Sequence, residues 1–180
     1  YRHFMLTLII ATALAGQGGA EPPPVPGVSE ALARERAGSI RDLRYEVALT
    51  VPAELGDPVQ GRVVLRFLLA APRRVVLDFA QPADRLRRVR VSGDDVTVVA
   101  ANGHLIIPVE LMQAGENEVV VDFVAGDEPL NRGDELLYTL FVPARAHRMF
   151  PCFDQPDLKA RYTLSLDVPY GWTAVSNEAV

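Results

Sequence analysis

One cysteine and three histidines bound the chemistry this sequence can carry. Cys152 has no second cysteine to pair with, so an internal disulfide is excluded. His104 runs into Leu-Ile-Ile-Pro and His147 into Arg-Met-Phe-Pro, so neither opens an H-E-x-x-H, and His3 stands alone near the start. A lone thiol without paired histidines does not make a standard zinc site, and no residue of this stretch is assigned a catalytic or metal-binding role. Cys152 reads as a small buried hydrophobe rather than a reactive thiol, because the only base near it in sequence is His147. Asp154 and Asp157, in Asp-Gln-Pro-Asp, favour a turn with side-chain-to-backbone hydrogen bonds over a bound cation. His147 and Arg148 read as exposed polar positions rather than cleft residues. Arg85-Leu-Arg-Arg-Val-Arg90 sends alternate members to opposite sides of a strand, which describes a solvated face rather than an anion-binding patch.

These residues need a scaffold, and the composition describes one ordinary globular domain. The chain has 180 residues, 49% hydrophobic and 23% charged, which excludes disorder, collagen and a disulfide-held miniature. Net charge is −5 and no run of bases is long enough to face a nucleic acid. There is no Gly-rich phosphate loop and no G-x-S-x-G elbow.

The first 20 residues have the layout of a secretory signal. Arg2 and His3 precede an apolar run, Phe4–Ala15, which gives way to Gly18-Gly-Ala20 and then Glu21-Pro-Pro-Pro24. A run this short does not reach the roughly 20 helical residues that cross a bilayer, so no stable membrane anchor is expected. The expected product begins at Glu21 and is exported, periplasmic or extracellular. The competing reading is a buried strand or helix of the domain. Residues 21–39 then read as a Pro-rich linker and one short helix, with Ser29 as N-cap and Gly38 as its stop.

From Ile40 the hydrophobic period is two. Arg41–Val51 places Leu43, Tyr45, Val47, Leu49 and Val51 on one face, and Gly61–Leu69 repeats the pattern with Val63, Leu65 and Phe67. Further strands are expected at Arg74–Phe79, Leu86–Val91, Val96–Val99, Leu105–Ile107, Val119–Phe123, Glu135–Phe141 and Arg161–Val168. Asn102-Gly103 supplies the positive φ angles of a tight hairpin turn. Many short strands with closely spaced turn signals, and no intervening long helix, predict an all-β, antiparallel β-sandwich.

Leu130–Asp157 breaks the alternation. Its prolines and the apolar Phe150, Cys152 and Phe153 describe a rigid, partly buried loop, whose main-chain polar groups must find partners.

Phe150-Pro-Cys-Phe-Asp-Gln-Pro-Asp-Leu-Lys-Ala-Arg-Tyr-Thr-Leu, followed by Trp172-Thr-Ala-Val-Ser-Asn177, resembles the N-terminal domain of aminopeptidase N-type zinc metallopeptidases. The likeness runs back through Leu130-Asn-Arg132 and Tyr138–Pro143 to Leu43-Arg-Tyr45, and covers 40–180. It implies a saddle-shaped β-sandwich that caps the cleft of a separate catalytic domain. That domain would hold the zinc, an H-E-x-x-H and a G-x-M-E-N segment, and would act on peptide substrates. The missing Met at position 1 and the stop at Val180, before any such motif, suggest a fragment. In the resembled family a Gln or Glu upstream of the FPCFD run binds the substrate's free amine. Counting back without a gap puts that position at Val142, so Phe141, Val142, Pro143, Ala144 and Arg145 form the expected substrate-facing loop, and Val142 cannot itself anchor an amine. The alternative function is a stand-alone exported β-sandwich binding or adhesion module.

Overall fold

The structure, a computed structural model, describes residues 22–133 and 136–176. The export signal read at 1–20 lies outside the described residues, as do Glu135 and Asn177. Among the described residues, no helix is long and apolar enough to cross a membrane.

The chain enters through an extended stretch into helix α1, Glu30–Ser39. Ser29 caps it as its composition predicts, its Oγ accepting from Leu32 N at 3.2 Å. Gly38 does not stop the helix; it ends one residue later at Ser39, where the chain turns extended at Ile40.

Strands follow in chain order: β1 Ile40–Thr50, β2 Gln60–Leu69, β3 Val75–Asp78, β4 Leu86–Val91, β5 Asp94–Val96, β6 Val99–Ala101, β7 His104–Ile107, β8 Gly115–Val124, β9 Leu130–Arg132, β10 Leu137–Thr139 and β11 Arg161–Asp167. A six-stranded sheet runs β11-β1-β2-β8-β4-β5, a three-stranded sheet β3-β7-β6, and β9 with β10 makes a small hairpin. The all-β reading therefore holds, with one correction. The large sheet is mixed, because β11 pairs with β1 in parallel, Tyr45 opposite Tyr162 and Leu49 opposite Leu166. A two-residue turn can only make an antiparallel pair, whereas β11 arrives by a long crossover whose direction strand spacing does not reveal.

Alternation explains the layering. Leu43, Tyr45, Val47 and Leu49 of β1, Val63, Leu65 and Phe67 of β2, and Val119, Val121 and Phe123 of β8 point to one side and are buried. They share a core with Leu77 of β3 and Ile107 of β7, so the two sheets close on one another. Outward members form a charged solvent face, with Arg62 on Asp122 at 2.5 Å, Arg66 on Glu118 at 2.9 Å, and Arg88 of the Arg85–Arg90 stretch on Asp95 at 2.6 Å.

Asn102 and Gly103 have φ of +55° and +79° and turn β6 into β7, the hairpin expected from the sequence. The single strand expected at Val96–Val99 is in fact the end of β5 and the start of β6, which belong to different sheets. The Arg161–Val168 strand forms, but its alternation does not become half-burial: every residue of β11 is exposed, because β11 is an edge with nothing on its outer side among the described residues.

Candidate functional site

The segment from Leu130 to Asp157 is held against the domain from several sides. β9 and β10 pair through Asn131 and Tyr138, and among the described residues of the expected strand Glu135–Phe141 only Leu137–Thr139 is strand. Phe141 turns inward and sets its ring edge-on against Phe150, centroids 5.8 Å apart. The chain then rises through a cis Val142–Pro143 bond and returns at Arg145, whose N–H donates to the Phe141 carbonyl at 2.9 Å. Val142 stands at the apex, 74% exposed. Pro143 and Ala144 are exposed as well, while Arg145 is half-buried with its guanidinium 3.5 Å from Glu128. The five residues expected to face a substrate thus form one contiguous loop, anchored by Phe141 and presenting Val142.

A short 3-10 turn, Ala146–Arg148, continues the segment over Gly126. No side chain fits at Gly126: a Cβ there would lie 1.9 Å from the Arg148 carbonyl oxygen. His147 is half-buried rather than simply exposed, because Asp154 Oδ2 lies 2.6 Å from its Nδ1 and also accepts from its N–H at 3.2 Å. This is the side-chain-to-backbone bond expected of Asp154, with an imidazole added to it. Arg148 is exposed and pairs with Glu128 Oε2 at 2.5 Å.

The buried run that follows answers the question of where its main-chain groups go. Cys152 and Asp78 exchange hydrogen bonds, Asp78 N to Cys152 O at 2.7 Å and Cys152 N to Asp78 O at 3.1 Å. Phe153 N donates to the Tyr45 hydroxyl at 2.9 Å, and Gln155 Nε2 donates to Ala33 O on α1 at 2.9 Å. The Phe153 ring lies edge-on to Phe67 with centroids 6.0 Å apart, and the Arg36 guanidinium sits 5.3 Å from its centre.

Asp78 is the hub beneath this run. Its Oδ1 accepts from Arg36 Nη2 at 2.6 Å and lies 2.9 Å from His104 Nδ1; its Oδ2 accepts from Arg36 Nη1 and from Asp154 N, both at 2.9 Å. Burial pushes this carboxyl up, but the hydrogen bonds from His104 and Arg36 outweigh it and hold the group below the usual carboxylate range. The bond to Asp78 in turn raises the His104 imidazole above its ordinary value. Sequence reasoning missed this network. Its one signal was Asp78 itself, an acid closing the apolar run Val75–Leu77, which has to find cationic partners once buried.

Two concavities flank the loop. An apolar groove of about 520 Å³ lies between β1, β11 and the β9–β10 hairpin, and includes Val51, Phe141, Leu164 and Trp172. A polar cleft of about 720 Å³ includes Ala144, His147, Asp154 and His104, with Pro26–Val28 on another side. Phe141 lines one and Ala144 the other, so the loop is the ridge between them. Neither concavity fits a metal. Among the described residues no three His, Cys, Asp or Glu side chains converge on one point. His104 has both ring nitrogens engaged, on Asp78 and on Val25 O, and burial pushes the Cys152 thiol well up.

Residues 127–180 match the Peptidase M1 N-terminal domain. Aminopeptidase N of Streptomyces lividans is 30% identical over 157 residues, covering 81% of this chain and 18% of that protein. Aminopeptidase M1 of Arabidopsis thaliana is 33% identical over 89 residues, 47% of this chain and 10% of that protein. The fold is shared with the M1 zinc metallopeptidase of Deinococcus radiodurans, at TM-score 0.59 and 22% identity over 73% of this chain and 33% of that one. It is also shared with leukotriene A4 hydrolase of Saccharomyces cerevisiae, at TM-score 0.57 and 15% identity over 73% and 24% of the two chains.

Proposed function

We propose, from the premise that this chain is an N-terminal domain of the M1 aminopeptidase family, that it caps the active-site cleft of an exported zinc-dependent aminopeptidase. The chain spans 18% of the Streptomyces relative, so the activity belongs to a longer polypeptide and is part of the proposal. The family supplies the reaction class, removal of N-terminal residues from peptides, and favours it over a stand-alone exported binding or adhesion module.

The observation that carries the reading is the Phe141–Arg145 loop. Its apex is exposed and its base is locked by the Phe141–Phe150 contact and by the bonds of the Cys152–Gln155 run to Asp78, Tyr45 and α1. A pre-set protrusion of this kind positions a wall against a substrate without ordering cost at binding. Because Val142 offers no polar atom on its side chain, the loop contributes an apolar and main-chain wall. The substrate's amine is then held by acidic groups of the catalytic domain.

Zinc in the parent enzyme would polarise the scissile carbonyl and activate water. The residues described above do not fit such a site, so no step is assigned to zinc on this chain. Export rests on the Arg2–Ala20 layout, and N-terminal sequencing of the mature protein is expected to begin at Glu21.

The test is the reading frame beyond Val180 together with the activity of its product. A downstream M-E-N segment and H-E-x-x-H, with chelator-sensitive release of an aminoacyl dye, support the proposal. A stop codon or a further β-repeat in their place overturns it.

A further inference from the structure

We propose that Pro22–Val28 is a strap whose docking is gated by the proton state of His104, engaged when the imidazole carries two protons and released when it carries one. The segment is extended and Pro-rich, and most of its residues have no N–H to donate. The domain grips it through its carbonyls. Arg74 Nη1 donates to Pro22 O at 3.0 Å, Asn102 Nδ2 donates to Pro24 O at 2.9 Å, and His104 Nε2 lies 3.1 Å from Val25 O.

His104 is 2% exposed and sits between two groups that only accept: the Val25 carbonyl, and the Asp78 carboxylate 2.9 Å from Nδ1. Both contacts are hydrogen bonds only if both ring nitrogens carry protons. A neutral ring keeps its single proton on Nδ1, toward the charged partner. Its Nε2 lone pair then faces the Val25 oxygen, and that grip becomes a repulsion. The charged groups around the ring are Asp78 on β3, which supports the second proton, and Arg36 on α1, which opposes it but is itself bonded to Asp78. Asp154, His147, Glu128 and Arg148 line the same cleft and are tied up in the pairs His147–Asp154 and Arg148–Glu128. The raised affinity of His104 for its proton keeps the strap engaged into the range above the ordinary histidine value.

Release has a consequence for the cleft. Pro26, Gly27 and Val28 line it beside Ala144, so a departing strap opens the polar cleft at the foot of the Phe141–Arg145 loop. This inference stands on the strap geometry alone and holds whether or not the chain serves a peptidase.

The experiment is a pH titration of the full 180-residue chain by NMR, following the His104 ring nitrogens and the Val25 and Val28 methyl groups. Below about pH 6.5, the ordinary histidine value, two protonated ring nitrogens are expected. The methyl signals should move with the same midpoint as the ring as pH rises. Asn102→Gly keeps the turn but removes the grip on Pro24. By reciprocity, weaker docking should lower the His104 midpoint. In His104→Phe, the methyl signals should sit at the released position at every pH. If that variant does not fold, the Asn102→Gly midpoint decides. Methyl signals that ignore the His104 titration, a midpoint unchanged in Asn102→Gly, or a singly protonated ring with the strap still docked would each overturn the proposal.

Discussion

Cys152 and Asp78 face each other as an isolated two-residue β-bridge, each giving its N–H to the other's carbonyl at 2.7 and 3.1 Å. Through this bridge the Phe150–Asp154 run continues the sheet begun by β3, although no strand spans it. The same Asp78 then uses its carboxylate to collect Arg36, His104 and the Asp154 N–H, so one residue joins α1, β7 and the loop.

Asp78→Asn is expected to cost about 3–5 kcal/mol of stability, because it leaves Arg36 and His104 buried without a counter-charge. Urea unfolding of the chain checks this. Arg36→Met in the Asp78→Asn background should then cost far less than Arg36→Met alone, since the two groups share one interaction. Additive losses would show that the pair is not coupled.

The pH dependence of stability has two arms. His104 binds its proton more tightly in the folded chain, so its contribution is fully present below about pH 6.5 and is lost as pH rises through the raised native value. Asp78 is held low, so its contribution is present above about pH 3.9 and is lost as pH falls through the depressed native value. Melting temperatures at fixed ionic strength should fall at both ends. His104→Gln should flatten the alkaline arm and also shrink the acid one, because the His104 bond helps hold Asp78 low.

Cys152 should behave as a buried hydrophobe. It is 4% exposed and burial holds its thiol well above the ordinary range. Reaction with a thiol reagent at neutral pH should therefore occur only at the rate of unfolding, and urea should accelerate it in step with loss of structure. Fast labelling of the folded chain would show an open path to the sulfur.

Gly126→Ala should push the Ala146–Arg148 turn outward, since the added methyl meets the Arg148 carbonyl and Gln81 Nε2 within 2.3 Å. A cost of about 1–3 kcal/mol is expected, the range for overpacking. The His147–Asp154 contact should loosen with it, seen as a shift of the His147 ring nitrogen signals. A destabilised variant with unmoved His147 signals would mean that the turn does not depend on Gly126.

The strands were legible wherever burial alternates. Leu43–Val51 and Val63–Phe67 announce their inner face, and Asn102-Gly103 announces its turn, because both signals are local. Ser92-Gly93, which turns β4 into β5 with positive φ at both residues, carries a similar signal and escaped the reading. The direction of β11 was not legible, because it depends on the path of a crossover and not on side chains. The candidate loop was legible as a segment, through its likeness to a family, but its anchors were not. Arg36, Asp78 and His104 lie far apart in sequence, and only folding brings their charges to one point, where the Asp154 N–H joins them.

Val142→Glu in the full-length protein tests whether the Phe141–Arg145 loop faces the substrate of the proposed zinc aminopeptidase. Val142 is 74% exposed, so the substitution should leave stability within about 0.5 kcal/mol. If the loop faces the substrate, a carboxylate at the apex meets its ammonium, an interaction of about 1.5–3 kcal/mol when well placed. That corresponds to roughly a tenfold or larger change in kcat/KM, carried mainly by KM, at an unchanged melting temperature. An unchanged kcat/KM in a variant that melts like the parent would remove the loop from the active site.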